Sequence, residues 1–339
     1  MSGPRPTLRR RGVARLLGAL AAAPLAGTAA AADPPRRSPA RPAAAAVTRF
    51  IPLDSAPFPY RGRDEELRRP FFDVAGPGRR LGRTLRGGEV VWEDQAYRDP
   101  RAFLHAPASF DPSRPATIVA FFHGHGTMIE KAAAEYELAR QIDASGLNAV
   151  LFAPQFARDA ADSTPGKFQR PGAFARFIDE AGLRLAAAAA PAGPARASWQ
   201  GAMRTAKVVV VAFSGGYKPA AWVAERGGVG RRLVGMVLLD ALYDDEDRFT
   251  TWFTAARHRG FLVSLYTEAT AASNAALMER LGARRIAFGR SLPAAIGAGT
   301  AAFVPLGASE LHARMPIDGP PREPVRAILA ATRPRPARG

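Results

Sequence analysis

The residues that could do chemistry in this chain are a serine, a histidine and a carboxylate, well separated in sequence. The serine is Ser214, which ends the run Val208–Phe213 and is followed by Gly215 and Gly216. A serine hydroxyl is a poor nucleophile near neutral pH. It needs a base within hydrogen-bond reach, an acid to orient that base and stabilise the imidazolium, and donors aimed at the developing oxyanion. Small residues around the serine (Ala212, Gly215, Gly216) suit a turn tight enough to carry it at the tip.

The chain offers a candidate for each role. Of its five histidines (His105, His123, His125, His258 and His312), only His312 follows the last expected strand. Two carboxylates compete for the acid. Asp240 ends the strand after Val208–Phe213, in Leu-Leu-Asp-Ala-Leu, and a short side chain at a strand end is held rigidly. Glu268 follows the next strand, within a loose Thr-Glu-Ala-Thr run. Asp240 is preferred on this geometry, Glu268 is the alternative, and Asp244 is a weaker third choice. The oxyanion donors would be the amide of Gly215 and one from the Gly-rich turn His123–Gly126, with the His125 main chain as first choice and Gly124 beside it. His123 and His125 could instead pair on a metal, but no third ligand is spaced to help. Asp244, Asp245 and Asp247 read as a solvated acidic loop that lacks the ligand spacing of a calcium site.

The elements that must position these residues follow from hydrophobic patterning. Continuous apolar runs at Ala116–Phe122, Leu147–Ala153, Lys207–Phe213, Leu233–Leu239, Phe261–Tyr266 and Ala301–Leu306 read as strands buried on both faces. Between them, helical spacing marks Met128–Ser145, Gly172–Ala190, Tyr217–Arg226, Arg248–Arg257, Ser273–Leu281 and Val325–Ala331. Pro191–Pro194 reads as a helix breaker. Glu89–Trp92 and Arg101–Ala106 read as short opening strands. This alternation predicts an α/β fold: a doubly wound, mostly parallel sheet in a three-layer αβα sandwich. In such sheets the site lies at the carboxyl ends of the strands, where His123–Gly126, Ser214, Asp240, Glu268 and His312 all fall. The polar segment Pro154–Pro171 could border the pocket as a lid lined by Phe156, Phe168 and Phe174, or those rings could be core, the better reading for Phe174.

These pieces resemble an α/β-hydrolase fold protein of the serine esterase or lipase type from about Glu89 to Ala331. The matching residues are His123-Gly124-His125-Gly126, Ala212-Phe213-Ser214-Gly215-Gly216 at a nucleophile elbow, Asp240 and His312. Ala212 stands where the usual pattern has glycine. The resemblance implies the chain order Ser…acid…His and attack by Ser214 through an acyl-enzyme, without metal or organic cofactor. Glu268 sits at the commoner acid position of that fold, and an acid at Asp240 is similar to pancreatic-type lipases. The fold hosts many substrates, so a small-molecule ester or amide is expected. The rivals are an amidase or peptidase acting on cell-wall material and a catalytically idle binding module.

Composition bounds the rest. The chain has 339 residues, 47% of them hydrophobic, and no cysteine, which excludes disulfides, thiol catalysis and Cys-ligated metals. The formal charge of +17 invites a nucleic-acid reading. Only Lys131, Lys167, Lys207 and Lys218 are lysine, however, so the excess reads as arginine bias, and no nucleic-acid motif is present. Residues 1–32 combine Arg9-Arg10-Arg11 with an apolar run ending in small residues. That is the pattern of a signal peptide, twin-arginine-like in Arg10-Arg11-Gly12-Val13, and implies export to the periplasm or beyond by that route or by Sec. Residues 33–59 read as a flexible Pro/Ala/Arg-rich linker, 60–331 as one domain, and 332–339 as a disordered basic tail. No segment reads as a stable membrane span, and the oligomeric state is left open.

Overall fold

A computed structural model of the chain describes residues 45–333. The expected signal segment and most of the basic tail lie outside them. Eight strands form one sheet: β1 (Val47–Pro52), β2 (Arg101–Ala106), β3 (Thr117–Phe122), β4 (Ala149–Pro154), β5 (Lys207–Phe213), β6 (Leu233–Leu239), β7 (Phe261–Tyr266) and β8 (Ala301–Pro305). Their spatial order is β1-β2-β4-β3-β5-β6-β7-β8. β2 runs antiparallel to both β1 and β4, while β3 to β8 are mutually parallel. The six apolar runs are therefore the parallel strands, and the α/β class follows.

Helices cover both faces. α1 (Ile129–Glu135), α2 (Leu138–Ser145), α3 (Ala173–Ala189), α4 (Gly193–Thr205), α5 (Tyr217–Arg226), α6 (Glu246–Ala256), α7 (Ala271–Ala283) and α8 (Pro324–Ala331) are the main ones. The central strand shows why two layers are needed. Val208, Val210 and Ala212 pack into one core with residues of α3 to α7, and Val209, Val211 and Phe213 into a second with residues of α1, α2 and α8. No helix among the described residues is long and apolar enough to cross a membrane.

Four expectations need correction. Residues 45–59 are not linker: β1 pairs along its length with β2, from Val47 opposite Ala106 to Pro52 opposite Arg101. Leu53, Ala56 and Phe58 after it are buried. β1 is an edge strand with mostly exposed side chains, so backbone pairing makes the strand and hydrophobic alternation does not advertise it. Val90–Trp92 does not open the main sheet but joins Val74–Ala75 and Leu81–Thr84 in a separate three-stranded sheet. The helix expected at 128–145 is two, split where Glu137 takes a left-handed φ of 47°. Pro194 does not simply break a helix: it stands in the first turn of α4, where its missing N–H costs nothing.

The 154–171 segment is no apolar lid. Phe156, Phe168 and Phe174 are all buried, and ring contacts with Phe122 and Phe177 at 5.1–6.2 Å knit them into the core.

Candidate active site

β5 runs out at Phe213, and the chain reverses in one tight turn, Ser214–Gly216, before α5 begins. Ser214 takes φ 51°, the left-handed region that an L side chain enters only under constraint. The constraint is crowding. A Cβ on Gly216 would lie 2.4 Å from the Phe122 carbonyl oxygen, and one on Gly124 would lie 2.8 Å from the Ser214 Cβ. The turn after β3 and the turn after β5 thus touch, and glycine at these points lets them.

His312 lies in the turn Ser309–Arg314 after β8. Its Nε2 is 2.9 Å from Ser214 Oγ and its Nδ1 is 2.7 Å from Asp240 Oδ2. The Phe213 ring lies 5.2 Å from the imidazole, between centroids. Asp240, at the end of β6, is fully buried and has φ 45°. Its Oδ1 accepts from the Thr267 amide (3.0 Å) and the Thr270 hydroxyl (2.6 Å), and its Oδ2 accepts from the Thr267 hydroxyl (2.7 Å). Burial alone would raise the Asp240 pKa, but the hydrogen bonds from His312, Thr267 and Thr270 outweigh it and hold it at about 2. A carboxylate held ionised in this way fixes the imidazole with its Nδ1 proton toward Asp240 and its Nε2 free to accept from Ser214.

The rival acids fall elsewhere. Glu268 is exposed in the turn Glu268–Thr270. The run around it is not loose, because Thr267 and Thr270 are buried and supply the donors to Asp240. Asp244 lies 3.5 Å from the Lys218 ammonium. Asp245 departs from the expected solvated loop. Its side chain is 7% exposed, 2.9 Å from the buried Lys218 and paired also with Arg248, so this loop is clamped to the start of α5.

Of the expected oxyanion donors, Gly215 and Gly124 sit at the elbow. A Cβ on Gly215 would lie 2.6 Å from His125 Nε2, so the three residues are neighbours. The Gly126 amide is spent on the Ala160 carbonyl (3.1 Å). The His125 ring turns outward to Ser163 Oγ (2.5 Å). His123 points inward and is buried. Its Nδ1 donates to the Gly124 carbonyl (2.8 Å), and its Nε2 accepts from the Phe156 amide (2.9 Å) and the Gln155 side chain (3.0 Å). Burial pulls its pKa down to about 4. With both nitrogens occupied inside the protein, His123 braces the turn and does not pair with His125 on a metal. Among the described residues no group of three or more side chains could hold a metal ion.

Sequence reasoning missed Tyr243. Three residues beyond Asp240, its hydroxyl lies 3.5 Å from His312 Nδ1, and its ring meets the imidazole edge-on with centroids 6.2 Å apart. Burial, with the nearby charge of Asp240, pushes its pKa up to about 12, against the opposing pull of Ser214. It therefore presents an O–H donor beside the serine. A cavity of about 520 Å³ opens next to the elbow, reaching His125, Ser163 and Tyr217.

No family model matches the chain, and no curated protein matches its sequence. Solved structures do match. A feruloyl esterase module from Clostridium thermocellum, complexed with sinapinate, superposes with TM-score 0.44 and 13% identity over 82% of this chain and 94% of its own. A dienelactone hydrolase-like promiscuous phosphotriesterase from metagenomic libraries gives 0.39 and 13% over 81% and 90%. A dienelactone hydrolase from Anabaena variabilis gives 0.35 and 14% over 68% and 88%. The chain's own strand order, the crowded turn after β5 and the placement of Ser214, Asp240 and His312 after the carboxyl ends of β5, β6 and β8 agree: this chain has the α/β-hydrolase fold.

Proposed function

We propose that this protein is an exported serine hydrolase that cleaves carboxylic esters of small molecules through an acyl-enzyme. The observation that carries the reading is the unbroken hydrogen-bond chain from Asp240 through His312 to Ser214. In the first half-reaction Ser214 Oγ attacks the carbonyl carbon and its proton passes to His312 Nε2. Asp240 stabilises the imidazolium at Nδ1. The tetrahedral oxyanion is received by the Gly215 amide and by an amide of the His125 turn, with Gly124 alongside. Collapse expels the alcohol, which takes the proton from His312. Water then enters, gives a proton to His312 and attacks the acyl carbon. The acid leaves and Ser214 regains its proton. No step calls for a cofactor. Ester is chosen over amide because the chemistry is easier with an alkoxide leaving group. Export rests on the twin-arginine-like segment at residues 1–32.

The test is hydrolysis of p-nitrophenyl acetate by the purified protein. A burst of p-nitrophenol followed by steady turnover is expected, with a loss of about 10⁵–10⁶-fold in Ser214→Ala. Equal rates in the two proteins would overturn the reading.

A further inference from the structure

Two side chains beside the elbow have no part in the reaction scheme above. His125 is exposed, Ser163 in the segment after β4 is half-buried, and both line the cavity that opens there. Both also stand directly over Gly215. A Cβ on that glycine would lie 2.6 Å from His125 Nε2 and 2.9 Å from Ser163 Oγ. The room that a side chain at position 215 would fill is thus taken by an imidazole and a hydroxyl from elsewhere in the chain, and these two are 2.5 Å apart. The residue whose amide receives the oxyanion therefore has a side-chain hydroxyl as its immediate neighbour, open to the cavity.

Ser163 is held from both sides. Asp162 accepts from the Tyr97 hydroxyl (2.7 Å) and the Thr164 amide (2.9 Å) and pairs with Arg83 (3.2 Å), which also donates to the Thr164 hydroxyl (2.9 Å). Two backbone hydrogen bonds, Gly126 to Ala160 and Asp159 to Thr127, both 3.1 Å, tie the same segment to the turn that carries His125. A donor fixed in this way needs little reorganisation when charge develops beside it. His125 completes the arrangement. Crowding by its neighbours pulls its pKa below the ordinary value, against the opposing charge of Asp162, so at neutral pH the ring is neutral and carries one proton. With that proton on Nε2, the ring donates to Ser163 Oγ and leaves the hydroxyl proton for another acceptor. Among the described residues the imidazole bonds Ser163 and no carboxylate, so the pair lacks the acid that would orient a base and make Ser163 a second nucleophile.

We propose that the Ser163 hydroxyl, held by His125, is a further oxyanion donor, so that a side-chain O–H joins the main-chain amides in receiving the tetrahedral oxygen. No proton is transferred in this step: the hydroxyl accepts from His125 Nε2 and donates to the oxyanion, keeping its own proton. The inference rests on the hydrolase reading above, so its test separates the two. The purified protein is given p-nitrophenyl acetate and the matching thionoester, in which sulfur replaces the carbonyl oxygen. A sulfur anion accepts weaker hydrogen bonds, so the loss of an oxyanion donor harms the oxygen ester more. Ser163→Ala should lower kcat for the oxygen ester about 10²-fold with KM little changed. The thionoester should lose far less, narrowing the preference for oxygen about 10-fold. His125→Phe, which keeps a ring over Gly215 and its own main-chain amide, should act in the same direction, and the double variant should be no slower than the slower single one. A fluorophosphonate should label the wild type on Ser214 alone. An unchanged oxygen-ester kcat in Ser163→Ala, a loss that the thionoester shares equally, or a second adduct on Ser163 overturns the donor and leaves the hydrolase reading in place. A wild type that neither labels nor hydrolyses overturns the hydrolase reading, and the donor with it.

Discussion

Asp240 Oδ2 lies 2.7 Å from His312 Nδ1, and the carboxylate that makes this contact is fully buried. A buried carboxylate survives ionised only with donors around it. Thr267 and Thr270 provide three hydrogen bonds and leave the His312 contact as the fourth. The imidazole is thereby fixed in one tautomer with its far nitrogen on Ser214.

If this is the working acid, Asp240→Asn should lower kcat by about 10⁴-fold with little change in KM, because the amide no longer holds the reactive tautomer. Glu268→Gln should stay within about twofold of wild type. Steady-state kinetics on one activated ester decides between them, and a large loss at Glu268 with a small one at Asp240 would reverse the assignment.

Folding stability should fall with pH in two stages. His123 is neutral in the fold with a pKa near 4, while the unfolded chain takes up that proton near 6.5. The stability it lends is complete above pH 6.5 and is lost as pH falls toward 4, about 3 kcal/mol in all. Asp240, held near 2, lends about 2 kcal/mol that is lost between roughly pH 4 and pH 2. Denaturant melts across this range should show both limbs. His123→Gln should flatten the upper one, and Asp240→Asn the lower.

Tyr243→Phe removes a hydroxyl from beside His312 and Ser214 while keeping the ring that packs at 5.8 Å on Tyr217. We expect kcat to drop about 5–30-fold, the span of one to two kcal/mol from a lost polar contact, with the melting temperature unchanged. Equal kcat values would place Tyr243 outside the reaction.

Phe58 should behave as core. Its ring lies 5.2 Å from Tyr97 and 5.8 Å from Phe71, with no exposed surface. Phe58→Ala should therefore cost about 3–5 kcal/mol in chemical denaturation. A linker residue would cost nothing measurable.

The parts of this protein that were legible in sequence share one property: they are local. Six runs such as Val208–Phe213 state their burial residue by residue, and chemistry-bearing side chains at their ends follow from the class of sheet. What was not legible depends on partners far away in the chain. β1 is a strand because β2 lies beside it, with little burial of its own side chains. Thr267 and Thr270 look like turn filler until β6 and β7 are paired and Asp240 arrives between them. Arg83 becomes a cavity wall only through Asp64 and Asp162, the second lying almost eighty residues further on. Tyr243 faces the imidazole because Asp240 takes a left-handed backbone turn, which no pattern in Asp-Ala-Leu-Tyr announces.

The measurement that bears most directly on the central claim is covalent labelling of the purified protein with a fluorophosphonate, read by intact mass and by mapping of the modified peptide. The hydrogen-bond chain from Asp240 through His312 predicts one adduct per chain, on Ser214, formed at a rate that falls by orders of magnitude in His312→Ala and to nothing in Ser214→Ala. A folded wild-type protein that gains no mass, or that labels as fast without His312, would contradict it.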